Sequence, residues 1–245
     1  MEEKAFSVSF EEFKLKIDTL IKPSGTEWII FLHGIQSNKE LFSDFLKQPF
    51  LQKYSLLSLD LIGFGNSSKP ETFSYDILDQ ANGHSLGGTI GTLMLEPLKD
   101  TIVSFINLEG NLTLLDSSVT KEVAGYTFDE FKQEKYQQIK ESVRNSDDTS
   151  AALRSKCLEM IPDYVFYKTS LSIIKWVKDE DVLHLFADAS CKRLYLYGDK
   201  NNFKKNIAPD SVEKVEIPNA GHFMLLDNPK TTYQVIEKLL NRLTQ

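Results

Sequence analysis

The sequence predicts an α/β protein in which a mostly parallel central sheet is flanked by helices and carries a helical insertion. Short apolar runs recur along the chain, and each ends in a polar or glycine-rich cluster, as the strands of a parallel sheet do. Residues 111–189 have helical patterns instead and interrupt the series of strands. A chain of 245 residues is long enough for one core domain with such an insertion.

The strands follow one another in a simple order. Residues 5–10 and 13–17 alternate apolar and polar side chains, which predicts an antiparallel hairpin at an edge of the sheet. Trp28–Leu32 is continuously apolar and predicts a strand buried on both faces. Further strands are predicted at residues 54–61, 102–108, 193–197 and 212–217. A functional site is expected where the parallel strands end, because ligands bind at their carboxyl ends.

The insertion is predicted to be a helical lid between core strands, so that residues 1–110 and 190–245 form the core and 111–189 the lid. Thr127 and Glu130 have the spacing of a capping box, and further helices are predicted at residues 149–161 and 164–176. A last helix, over residues 229–240, is predicted to pack on the sheet. Several aromatic side chains of the lid indicate either an apolar pocket or simply the core of the lid: Tyr164, Phe166, Tyr167 and Trp176.

Composition narrows the possible partners. The formal net charge of −7 offers no basic surface for nucleic acid, and no apolar run is long enough for a membrane span or a secretory leader. Neither Cys157 nor Cys191 has metal-ligand spacing, and the four histidines form no i, i+4 pair, so we expect no metal and no cofactor. The expected location is the cytoplasm, and the oligomeric state is left open.

The motif Gly83-His84-Ser85-Leu86-Gly87 is the pattern G-x-S-x-G, in which a serine occupies a sharp turn between a strand and a helix. Glycines on either side let the strand and the helix approach each other closely. A chance match in a chain of this length has odds of roughly 8%. The motif alone is therefore also compatible with a glycine-rich loop that opens a helix at residues 89–95.

Three further motifs accompany this serine along the chain. In order, the four are His33-Gly34, Asp60-Leu61-Ile62-Gly63-Phe64-Gly65, Gly83-His84-Ser85-Leu86-Gly87-Gly88 and Ala220-Gly221-His222-Phe223. With these motifs the sequence resembles the α/β-hydrolase family, in particular its small, lid-bearing serine esterase-like members, over nearly its whole length.

The resemblance implies a hydrolase of small ester or related acyl substrates that works through an acyl-enzyme on Ser85. His222 would be the general base, and the backbone N–H groups of Ile35 and Leu86 would form the oxyanion hole. His33 and His84 are expected to shape loops rather than do chemistry.

The carboxylate that orients the histidine is not obvious. In the family it most often lies three residues after the glycine that ends the penultimate strand, which here is Gly198, but that position is Asn201. Glu109, at the end of an earlier strand, is the favoured replacement, and Asp199 is the alternative. An amide cannot carry the charge that stabilises an imidazolium.

The interval before the motif is short. Only fourteen residues, 69–82, stand where the family has a helix and the central strand, and those at 79–82 are polar. A helix, a strand and two loops need at least about 20 residues, so a helix end and the central strand are predicted to be missing. Residues 75–80 have a sequence pattern closer to the start of that helix than to the central strand. The rival hypothesis is accordingly a catalytically impaired relative that acts as a binding module or has no activity.

Overall fold

The structure is a computed structural model, which describes residues 1–79 and 86–243. Its chain begins with the predicted antiparallel hairpin, formed by β1 (Glu2–Phe10) and β2 (Phe13–Lys22). The hairpin is longer than predicted and extends through Lys22 because β2 also pairs with β4 (Ser55–Leu59). The hairpin therefore lies at one edge of a larger sheet.

The strands form two sheets, and three of the five strand pairs are parallel. The first has the order β1-β2-β4-β3, with β3 (Trp28–Leu32) parallel to β4. The second has the order β5-β6-β7 and is parallel throughout, with β5 at Ser104–Leu108, β6 at Lys192–Gly198 and β7 at Glu213–Ile217. The prediction of a mostly parallel α/β fold is confirmed.

Helix α1 (Leu86–Leu93) lies between the two sheets, and all of its residues are buried. A Cβ atom added to Gly87 would lie 2.7 Å from the carbonyl oxygen of Leu32, at the end of β3. One added to Gly88 would lie 2.7 Å from the Cα atom of Gly110, just beyond β5. Only glycine permits both approaches, so the first turn of α1 fits between the carboxyl ends of β3 and β5.

Residues 69–79 form turns, and the helix start predicted at Tyr75 is wrong for the part of it that the structure describes. Tyr75 has a φ of 56°, in the left-handed region, which ends any helical continuation there. Phe73, Tyr75 and Ile77 are all buried in the main core, so alternate side chains anchor this short segment. β3 and β5 are edge strands of the two sheets, and within residues 1–79 and 86–243 no strand pairs with both. A missing central strand stays a prediction, because residues 80–85 lie outside that range.

The prediction that β3 is buried on both faces is wrong. Phe31 and Leu32 are buried, but Trp28 and Ile30 are each 48% exposed. Their apolarity is typical of a covered strand, yet the described part of the chain leaves their outer face half open. A continuous apolar run indicates that a strand could be buried on both faces. Whether it is buried also depends on a neighbouring layer of structure that covers each face.

The segment between β5 and β6 is helical, as predicted. Its helices are α2 (Ser118–Val123), α3 (Phe128–Glu130), α4 (Tyr136–Arg144), α5 (Ala151–Met160), α6 (Asp163–Val177) and α7 (Asp181–Asp188), with a π-helical turn at Phe131–Lys135. The capping box of Thr127 and Glu130 is confirmed. The division into core and lid stays a prediction. The chain closes with α8 (Met224–Asp227) and α9 (Pro229–Leu243).

The lid aromatics are packing and anchoring groups rather than walls of a cleft at the strand ends. Phe166 is fully buried in the core, and the hydroxyl of Tyr164 donates to the carbonyl oxygen of Lys69. The hydroxyl of Tyr167 donates to the carbonyl oxygen of Tyr126. Trp176 donates to Asp76 (3.0 Å) and lines a separate cavity beside α7. Of the two readings of these side chains, lid core is the one the contacts favour.

No helix among residues 1–79 and 86–243 has the length and apolarity that a membrane span requires. Both cysteines are free thiols, with Cys157 buried and Cys191 half-buried.

The open face of β3 generates the first prediction. Ile30→Ala is expected to lower the free energy of unfolding by about 1 kcal/mol or less, because the side chain is already half in water. Leu56→Ala, on the neighbouring strand, removes a fully buried aliphatic group of the same size and is expected to cost about 2–5 kcal/mol. Urea unfolding of both variants measures the difference; equal losses would mean that Ile30 is covered in solution.

Candidate active site

His222 lies in the loop between β7 and α8, and its ring meets the carboxylate that ends β5. The Nδ1 atom of His222 is 3.0 Å from Oε2 of Glu109. Glu109 follows the last residue of β5 and is completely buried, whereas the His222 side chain is one-third exposed. A carboxylate on Nδ1 selects the tautomer with the proton there, so that Nε2 carries the ring's lone pair.

Glu109 has donors on both carboxylate oxygens. Oε1 accepts from the backbone N–H of Gly198 (2.8 Å), at the end of β6. Oε2 faces His222, the side-chain amide of Asn201 (3.0 Å) and the ammonium group of Lys204 (3.3 Å). Asn201 thus donates to the same carboxylate oxygen that contacts His222.

This environment keeps Glu109 ionised. Burial by itself would raise the pKa of the carboxyl group, because it penalises the charged form. Three neighbouring groups outweigh that penalty and lower the pKa of Glu109 to about 2. They are His222, through its hydrogen bond and charge, Lys204, through its charge, and Gly198, through its N–H. The buried site therefore holds a permanent negative charge beside the imidazole.

The backbone of Glu109 is also unusual. Its φ of 50° is in the left-handed region, which a residue with a branched or long side chain rarely adopts. The N–H of Glu109 donates to the carbonyl of Leu196 on β6, and the next N–H, that of Gly110, donates to the side chain of Asn107. Strain of this kind, held by surrounding bonds, is typical of functional positions.

Asp199, the alternative acid, does not contact the histidine. Its two carboxylate oxygens accept from the backbone N–H groups of Asn219 (2.8 Å) and Ala220 (3.0 Å). These bonds hold the loop that leads to His222, and they lower the pKa of Asp199. The structure thus brings Glu109 to His222 and leaves Asp199 as a brace of the same loop.

The loop is pressed closely against β6. A Cβ atom on Gly198 would lie 2.2 Å from the carbonyl oxygen of Ala220, so glycine is required at this position. From the other side, the carboxylate of Asp227 accepts from the N–H of Gly221 (2.8 Å). The backbone around His222 is therefore held by a carboxylate on each side.

Ser85, the predicted nucleophile, and His84 lie outside the described residues. Leu86, the next residue, is fully buried and begins α1. Ile35, the other predicted oxyanion donor, is buried in the loop after β3, and its N–H has no acceptor in the described part of the chain. The first N–H groups of any helix also lack partners within the helix. Backbone donors from the loop of Ile35 and from the first turn of α1 are therefore both present near the strand ends.

The loop that carries Ile35 is braced by buried polar groups. Nε2 of His33 accepts from the N–H of Leu61 (3.0 Å), and its Nδ1 donates to the carbonyl of Gly34 (2.9 Å). Burial lowers the pKa of His33, which favours the neutral ring that this pattern needs. The ring therefore shapes the loop, the kind of role the sequence indicated for it.

A buried ion cluster fixes the other end of that loop. The ammonium group of Lys39 lies 2.7 Å from Oδ2 of Asp18 and 3.2 Å from Oδ2 of Asp60, and its backbone N–H also donates to Asp60 (2.8 Å). Burial alone would lower the pKa of Lys39, but these two carboxylates raise it. The cluster ties the loop to β2 and to the end of β4.

A cleft of about 400 Å³ lies beside the His222–Glu109 pair. It is lined by Ile35, Glu109 and His222 together with residues of the helical segment between β5 and β6. Among the lining side chains that were not predicted from the sequence are Gln36, Arg154 and Lys204. Residues 1–79 and 86–243 contain no group of three or more His, Cys, Asp or Glu side chains placed to bind a metal ion. The arrangement can transfer protons and stabilise charge by hydrogen bonding.

Neither a scan against protein-family models nor a search of curated proteins finds a match to the sequence. Solved structures do resemble the chain. An esterase from Thermogutta terrifontis has a TM-score of 0.74 at 16% identity, over 100% of both chains. A carboxylesterase structure from Nitrososphaera gargenis has a TM-score of 0.76 at 13% identity, over 97% of this chain and 98% of that one.

An esterase from Exiguobacterium antarcticum has a TM-score of 0.68 at 17% identity, over 95% of this chain and 97% of that one. The likeness extends over nearly the full length of all three proteins, including the parts of this chain that form the cleft. At such low sequence identity, the match shows a shared fold and nothing more specific. The chain therefore has the α/β-hydrolase fold.

Proposed function

We propose that this protein is a serine hydrolase of small carboxylic esters, with Ser85 as nucleophile, His222 as general base and Glu109 as the orienting acid. The observation that carries the proposal is the 3.0 Å contact between Nδ1 of His222 and the buried carboxylate of Glu109. The pair lies at the carboxyl ends of parallel strands, where this fold holds its chemistry. The likeness to solved esterases supports the same conclusion.

In the proposed reaction, the hydroxyl oxygen of Ser85 attacks the ester carbonyl while Nε2 of His222 takes its proton. The imidazolium is stabilised by Glu109, and the N–H groups of Ile35 and Leu86 stabilise the oxyanion. Collapse of this intermediate expels the alcohol, which receives the proton from His222. Water, activated by the same histidine, then releases the acid and restores Ser85.

Removing the proposed nucleophile is the most direct test. Ser85→Ala is expected to abolish both labelling by a fluorophosphonate probe and hydrolysis of p-nitrophenyl acetate, because no other group would form the covalent bond. Ser9→Ala, which removes an exposed hydroxyl on the edge strand β1, is the matched control and should retain labelling and turnover. Full activity in Ser85→Ala would refute the assignment.

The role of the acid is tested by comparing two amide variants. Glu109→Gln keeps the shape of the side chain but removes the charge beside His222, and losses of up to about 10⁴-fold in kcat occur when a triad loses its carboxylate. Asp199→Asn only weakens the brace of the loop, so its effect on kcat is expected to be much smaller. Steady-state kinetics on p-nitrophenyl acetate measures both; a larger loss in Asp199→Asn would transfer the role to Asp199.

The ionisation of Glu109 also has a consequence for stability. A carboxyl group whose pKa falls from 4.5 to about 2 on folding stabilises the protein above pH 4.5, and this contribution is lost as the pH falls toward 2. At about 1.4 kcal/mol per pKa unit it amounts to about 3 kcal/mol.

Urea unfolding of wild type and Glu109→Gln should therefore show a stability difference that shrinks between pH 5 and pH 3. The other carboxyl groups are common to both proteins and cancel in the comparison. A difference that stays constant over this range would show that Glu109 is not ionised by its native contacts.

A further inference from the structure

Arg154 extends from the lid helix α5 into the cleft and contacts both loops of the proposed catalytic centre. Its Nε donates to the side-chain carbonyl of Gln36 (2.9 Å), which directly follows Ile35. Its guanidinium carbon lies 5.3 Å from the ring centroid of Phe223, which directly follows His222. A planar cation is thus held over the cleft between the loop of Ile35 and the loop of His222.

The charge of Arg154 is poorly compensated. Its side chain is only 16% exposed, and burial lowers its pKa. Its ion-pair partner within the described residues is Asp148, 3.4 Å from Nη1, and this carboxylate is 64% exposed, so the pair is weak. Among residues 1–79 and 86–243, Nη2 has no hydrogen-bond acceptor.

The acidic groups that line the cleft are engaged elsewhere. Glu109 is surrounded by its four donors, and the buried carboxylate of Asp116 accepts from the N–H groups of Leu112 and Thr113. Asp227 accepts from the N–H of Gly221 and the hydroxyl of Thr149. The positive charge of Arg154 therefore has no buried counter-ion in the cleft.

A second cationic side chain lies close to the loop of His222. Lys200 also lines the cleft, and its side chain approaches Gly221, where an added Cβ atom would lie 3.9 Å from it. In the described part of the chain the ammonium group of Lys200 makes no ion pair. Together with Arg154, it places two cationic side chains on the walls of the cleft, although the protein as a whole carries a net charge of −7.

We infer that the cleft binds esters that carry a carboxylate, and that Arg154 recognises this group. The guanidinium presents a planar fork of N–H donors that matches a carboxylate in a two-point contact, and partial burial strengthens such a contact. The hydrolysis of such esters rests on the proposed function, whereas the binding of the carboxylate by Arg154 does not depend on it.

Paired chromogenic esters test the inference. Mono-p-nitrophenyl glutarate and p-nitrophenyl pentanoate have acyl chains of equal length and differ in the terminal carboxylate. 4-Carboxyphenyl acetate and phenyl acetate place the same difference on the alcohol side. We expect wild type to prefer the anionic member of at least one pair in kcat/KM by about tenfold or more, since bonds to charged groups have this strength. Arg154→Gln should lower kcat/KM for the anionic ester by about tenfold more than for its neutral partner, mainly through KM, so that the preference is lost.

Arg144→Gln is the matched control, because Arg144 also lies in the lid but pairs with Glu159 at the surface, and its preference should equal that of wild type. Hydrolysis without any preference for the anionic esters would overturn the inference and leave the proposed function intact. An equal loss of rate on neutral and anionic esters in Arg154→Gln would also overturn it, because Arg154 would then only attach the lid.

Calorimetric titration with glutarate separates the two proposals. If wild type hydrolyses none of the esters, the proposed function fails, but glutarate binding that is lost in Arg154→Gln would still support the anion site. Failure of glutarate to bind wild type, in the absence of any hydrolysis, would overturn the inference as well.

Discussion

The buried charge of Glu109 is the constraint on which the arrangement of the cleft depends. An ionised carboxylate taken out of water costs several kcal/mol unless donors surround it. Here the donors come from three separate segments: the end of β6 at Gly198, the turn that contains Asn201 and Lys204, and the loop of His222. The contacts that stabilise this one charge therefore fix the relative positions of three strand ends. His222 is held in place because it is one of those contacts.

Helix α1 supplies the second constraint, because it joins two sheets that share no strand pairing in the described residues. A helix buried on every side must pack against neighbours all round. Gly87 and Gly88 let the ends of β3 and β5 approach its first turn. The loop of Ile35 is held on one side of this helix by the ion cluster of Lys39, and Glu109 is held on the other. The N-terminus of α1 thus lies between the proposed oxyanion loop and the proposed acid.

The sequence was sufficient to predict features that depend on local pattern. Strand ends, the capping box at Thr127 and the loop position of His222 each follow from a few adjacent residues. Features that depend on neighbours distant in sequence were not predictable. The apolar pattern of β3 could not show that Trp28 and Ile30 lack a covering layer, and the positive φ of Tyr75 is a response to core packing. Lys204 and Arg154 have the sequence character of solvated charges, and only the fold brings them to the cleft.

The helices between β5 and β6 and the walls of the cleft share one apolar cluster, which includes Leu158 of α5, Ile35 and Leu86, and polar contacts add to it. The segment before and within α5 reaches the core through Thr149 on Asp227 and through Arg154 on Gln36 and Phe223. Each of these core residues lies next to a loop that the proposed reaction uses. Because hydrogen bonds are directional, a shift of α5 would disturb its contacts with both loops at once. An anion bound at Arg154 would neutralise the least compensated charge in this connection, so binding of the anion and the position of α5 would stabilise each other.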